Sequence, residues 1–112
     1  MSDFFQSDVV RAEMAEIHEL QEEIYSNVFK FPTMKREDQK YHVDILERLL
    51  EKQKVMYARL SLSDDPEAQE MKKRSVESAS MMGLPSSIDM TSLFDNMSQA
   101  VEMMKQQIDK DL

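Results

Sequence analysis

Apolar side chains recur early in the chain at Val10, Met14, Ile17, Ile24 and Val28, with Gln21 as the polar interruption. Steps of four and three residues put them on one helix face, and the near-heptad repeat resembles a coiled-coil seam. The pattern predicts a helix over about residues 8–29, capped by Ser7 or Asp8 accepting from an unpaired first-turn amide. Pro32 disfavours helical geometry at Phe31, and Thr33 can cap the next helix. A second stripe reads His42, Leu46, Leu49, Gln53, Met56 and Leu60, flanked by Tyr41, Ile45 and Leu50. It predicts a helix over 34–61, about 40 Å long at 1.5 Å per residue. The connection at 29–33 is short, so the two helices are expected to form a long antiparallel hairpin.

The stretch SLSDDP, residues 61–66, then stops one helix and starts another. Ser63, Asp64 and Asp65 compete with helical backbone bonds, and Asp65 is placed as an N-cap. Pro66 takes the first helical position, where its missing N–H costs nothing. This third helix spans 66–82, with a thin apolar face of Ala68, Met71, Ala79 and Met82. In MMGLP, Gly83 reads as a left-handed C-cap, followed by Leu84 and Pro85. The fourth helix, 89–110, carries Met90, Phe94, Met97, Val101, Met104 and Ile108 on one stripe, beside Leu93, Ala100 and Met103. The expected fold is all-α, a single domain over 1–112 made of a long hairpin and two further helices. That arm exposes more apolar stripe than one chain readily covers. A homodimer is therefore expected, with Leu46, Leu49, Met56 and Leu60 as its seam.

Composition changes the picture in three ways. Only 7% of the 112 residues are aromatic and 11 are methionine, so the apolar faces are built from aliphatic and thioether side chains. Such faces suit both cores and adaptable contact surfaces. With no cysteine, disulfides and thiolate chemistry are excluded. The net charge of −8 is uneven: residues 1–28 set seven acids against Arg11, whereas 29–60 set eight bases against five acids. The acidic excess argues against a dedicated DNA-binding domain, and the change of sign favours pairing of the first two helices. The first residues lack a signal-peptide pattern, and no apolar run approaches the ~20 residues that cross a bilayer. A soluble, cytoplasmic protein without a membrane partner is expected.

The candidate chemistry is sparse. Neither His18 nor His42 has a glutamate three residues before it, so the Glu-x-x-His pairs of carboxylate-bridged di-iron bundles are missing. The glutamates of the first helix read as a solvated face. A single glycine leaves no phosphate-cradling loop, and no serine sits in a nucleophile elbow. No catalytic residue, metal or cofactor is expected. Phe4 and Phe5 either fold back as a hydrophobic staple or anchor into a partner. The candidate partner-binding set is Phe4, Phe5, Met90, Leu93, Phe94, Met97, Val101 and Met104, with Phe94 and Met97 as its anchors.

FFQSDVVRAE near the start and LLEKQKVMYARLSLSDDPEA in the middle resemble a small all-helical family of unknown function found in cyanobacteria and their contractile-tailed phages. The RLSLSDDPEA joint and the MMG after it are more similar to the phage members. The family carries no catalytic motif. The resemblance implies a cyanophage origin and action inside the infected cell, where small acidic phage proteins commonly seize a large host machine, RNA polymerase above all. The expected function, argued by class, is a coactivator or adaptor between host RNA polymerase and a phage sigma factor, without strong direct nucleic-acid binding. Two other functions compete. One is an acidic DNA mimic, against which the 14 basic residues weigh. The other is a virion or assembly component.

Overall fold

Val43 has no exposed surface at all, although it lies off the stripe that the second helix shows in sequence. Its burial follows from how the elements stack. The computed structural model describes residues 3–81 and 90–110; 94% of these are helical and none is in a strand, so the fold is all-α. In chain order come α1 (Asp3–Gln6), α2 (Asp8–Asn27), a 3-10 turn (Val28–Thr33), α3 (Arg36–Leu62), α4 (Pro66–Met81) and α5 (Met90–Lys110).

Helix α3 is buried on two opposed faces. Ile45 and Leu49 pack against Leu20 and Ile24 of α2. Val43 and Leu50 pack against Met90, Phe94, Val101 and Ile108 of α5. Residues 43 and 45 point about 200° apart around a helix, so the two sets cannot share a face. A single heptad seam is therefore a poor description of α3, which is covered on both sides. A third cluster closes one end, where Met56 and Leu60 meet Val10 of α2 and Ala68 of α4.

Ion pairs follow the same sandwich. Arg59 and Lys52 of α3 pair with Glu13 and Glu16 of α2. On the other side Lys54 stands 3.6 Å from Asp95, Glu47 2.6 Å from Lys105, and Lys40 2.8 Å from Asp109. Partner numbers fall along α3 as they rise along each neighbour, so both neighbours run opposite to it. Exposed pairs add little stability singly. Their consistent order fixes register.

The helix boundaries depart from expectation at the first connection. Helix α2 stops at Asn27 and a 3-10 turn carries the chain through Pro32. Thr33 does not cap α3: its hydroxyl donates to the Lys30 carbonyl at 2.8 Å, and Lys35 holds the N-cap position without a side-chain bond. Proline lacks an amide and fixes its φ, which suits a short tight turn and delays α3 to Arg36. The one-turn α1 is also additional; four residues carry no periodicity to read. The Gly83 cap, Met82, Leu84, Pro85 and the helix start at Asp89 lie outside the described residues. The molecule extends 51 × 32 × 19 Å with a radius of gyration of 15.9 Å. A compact chain of this length would give about 13 Å, so the shape follows the length of α3.

Candidate partner-binding site

The joint between α3 and α4 decides where the site lies. Asp65 caps α4 by accepting the Glu67 amide at 2.9 Å, and its own amide donates to the Ser63 hydroxyl at 3.1 Å. The Gln69 side-chain amide reaches back to the Leu60 carbonyl at 3.4 Å and to that of Ser63. These bonds satisfy end groups of both helices and turn the chain sharply. Ala68, fully buried and small, lets α4 approach the end of α3 closely.

Beyond Ala68 the face of α4 is too small to fill the space it spans. Ser75 and Ser78 face a cleft of about 570 Å³, and Ser75 ties its hydroxyl to the Met71 carbonyl at 3.0 Å. The cleft is walled by α2, α4 and α5 above α3. Met14, Met56, Met71, Met90 and Met97, from these four helices, contribute to it. Among the described residues no aspartate, glutamate, lysine or arginine lines it. Phe94, 8% exposed, belongs to the α3–α5 core, with its ring 5.9 Å from that of Tyr57. Met97, 41% exposed, stands at the lip. On the α2 side, His18 meets Glu22 at 3.0 Å.

The sequence-derived candidates divide. Met90, Leu93, Phe94 and Met97 line the cleft. Val101 is buried in the α3–α5 core and Met104 packs against it. Phe4 and Phe5 stack edge to face at 4.9 Å and pack against the cluster of Val10, Met56, Leu60 and Ala68. Leu49, Met56 and Leu60 are buried within the chain's own core, and Leu46 packs between two clusters. The cleft residues Met14, Ile17, Tyr57 and Met71 are absent from the candidate set. A sequence signal for them did exist: Gln21 and Gln53, the polar interruptions of the first two stripes, both line the cleft.

A second cavity of about 530 Å³ lies under the 3-10 turn and is lined by opposed charges, Lys30 and Lys35 with Glu23 and Asp38. His42 there is buried with its ring 5.3 Å from Phe31, the place of a core histidine. The hydrogen bond to Glu23 raises the Tyr41 hydroxyl above its ordinary range. Among the described residues no group of three or more aspartate, glutamate or histidine side chains could hold a metal ion. None of their helices is long and apolar enough to cross a membrane.

Fold and cleft together define an elongated all-helical domain with an open, methionine-rich groove. The chain belongs to the family described as a domain of unknown function, DUF1825, whose sequence model matches residues 2–108. No curated protein and no solved structure matches it.

Proposed function

We propose that the chain is a non-catalytic adaptor acting on transcription in the cytoplasm of a phage-infected cell. In this reading its groove holds a segment of host RNA polymerase or of a phage sigma factor. The observation that supports docking is the groove, with five methionines from four helices around one open apolar cleft. Unbranched thioethers repack against surfaces of varied shape, which suits a contact site better than a fixed ligand pocket. The choice of the transcription machinery rests on the resemblance to cyanophage proteins and on the habit of small acidic phage proteins.

Charge favours a protein partner over nucleic acid. Lys40, Lys52, Lys54 and Arg59 of α3 are engaged with acids of α2 and α5. The net charge of −8 further opposes binding to phosphates. The same pairing weighs against a DNA mimic, since Glu13 and Glu16 face Arg59 and Lys52. The reading treats α2 and α3 as a hairpin arm that carries the groove. Self-association belongs to the proposal through side chains that stay exposed, such as Phe29, Leu62 and Met103. The test is co-purification of polymerase with the tagged chain from infected cells, together with transcription from a phage promoter with and without it. If the wild-type chain neither retains polymerase nor changes transcript yield, the transcription reading fails.

A further inference from the structure

The groove selects among possible occupants by length and by charge. Its walls run from Met14 to Gln21 on α2 and from Met90 to Met97 on α5. Seven helical steps cover about 10 Å, or two turns. An occupant of that length with a regular apolar face presents side chains at i, i+3 or i+4 and i+7, the spacing of helix-in-groove recognition. The interior offers sulfur, carbon and the neutral groups of Gln21, Gln53, Ser75 and Ser78, so it favours apolar anchors.

The rim is asymmetric. Helix α4 balances Glu67, Glu70 and Glu77 with Lys72, Lys73 and Arg74, and Arg74 stands 3.8 Å from Glu70. Helix α2 carries six acids against Arg11 alone. Of these, Glu13 and Glu16 are spent on α3, whereas Glu22 is exposed on the flank of α2 beside the lining His18 and Gln21. Glu22 meets His18, which itself lines the groove. On a chain whose net charge is −8, the acidic α2 helix favours positive charge on whatever lies beside it. Resting on the docking reading above, we infer that the groove takes a short cationic amphipathic helix of a partner protein. Its aliphatic anchors sit among the methionines, and its lysines or arginines run along α2.

The experiment uses the full chain and three capped helical peptides of about 14 residues, about 21 Å long. The first carries leucines at i, i+4 and i+7 with lysines on its flanks. The second replaces the lysines with glutamates, and the third replaces the leucines with serines. Fluorescence anisotropy is expected to show binding of the first peptide, with the other two at least about tenfold weaker. Met97→Glu should also weaken the first peptide about tenfold, although simple attraction would gain from the added carboxylate. Glu22→Lys should weaken it less, and most at low salt. Circular dichroism confirms that both exposed-site variants stay folded.

Equal binding of the lysine and glutamate peptides, lost together in Met97→Glu, overturns the cationic occupant and leaves the docking reading standing. Binding that survives Met97→Glu or the serine replacements reduces the effect to surface ion pairing and overturns the inference. Light scattering that shows a dimer broken by Met97→Glu makes a second copy the occupant, with the same consequence. No binding of any peptide, with polymerase capture intact, overturns this inference alone. No binding with capture also absent removes both.

Discussion

Asp65 ties together segments that are far apart in sequence. One carboxylate oxygen accepts the Glu67 amide at 2.9 Å and the other accepts the Phe4 amide at 2.9 Å, while the Asp65 carbonyl receives the Gln69 amide at 3.0 Å. Capping bonds of this kind contribute about 0.5–2 kcal/mol, and here one side chain serves two helix starts. Asp65→Ala is therefore expected to lower stability by about 2 kcal/mol in urea unfolding, and Asp65→Asn by clearly less, because the amide oxygen still accepts a bond. Equal losses in the two variants would contradict the double-cap account. The cap of α4 is legible in SDDP, since Asp before Pro-Glu has a local mechanism. The bond to Phe4 is not legible, because nothing local links positions 61 residues apart.

At the scale of elements, the two sides of α3 titrate in a readable way. The hydrogen bond and charge of Lys52 hold the Glu16 carboxyl below its usual value of 4.5, and Lys40 does the same to Asp109 below 3.8. Glu47 raises the Lys105 ammonium above 10.5, and Glu23 raises the Tyr41 hydroxyl above 10.0. Lowered carboxylates contribute stability that is present above their unfolded values and is lost as pH falls through the folded ones. The raised lysine and tyrosine contribute stability that is present below their unfolded values and is lost as pH rises through the folded ones. The melting temperature should therefore be flat between about pH 5 and 10 and fall on both sides, with smaller slopes in about 1 M salt. Thermal scans across pH at two salt concentrations check this. Slopes that salt leaves unchanged would count against it.

Helix existence was legible from periodicity, as the bounds of α2, α3, α4 and α5 show against their stripes. Which faces meet was less so. Val43 escapes a one-stripe reading because α3 is covered twice. Val43→Ala is expected to cost about 2 kcal/mol, as a buried truncation does. Arg36 points to the same coverage: Nε and Nη2 donate to the Ile108 carbonyl at 3.0 and 2.8 Å, closing the end of α5 against the start of α3. Only the tertiary fold brings those positions together.

For the whole molecule, the question is whether the α5 stripe serves the core or a partner, and burial changes along that stripe within one turn. The groove draws residues from four helices, so no single stripe announces it, and the methionines of α5 looked alike until their burial differed. Phe94 is 8% exposed against Tyr57 and the α3–α5 core, whereas Met97 is 41% exposed at the lip. Truncating a buried phenylalanine costs about 3–5 kcal/mol, a large share of the 5–15 kcal/mol that a typical domain holds. Phe94→Ala should therefore lower the melting temperature sharply, and because Phe94 also lines the groove, a loss of binding in that variant does not by itself separate contact from unfolding. Met97→Ala should shift stability by less than about 1 kcal/mol, as surface changes usually do. If the groove is the contact, it should still weaken polymerase capture several-fold. Calorimetry and capture on the two single variants separate these outcomes. A folded Met97→Ala chain that captures polymerase at the wild-type level, with Met97→Glu equally unaffected, would place any contact with polymerase outside the groove.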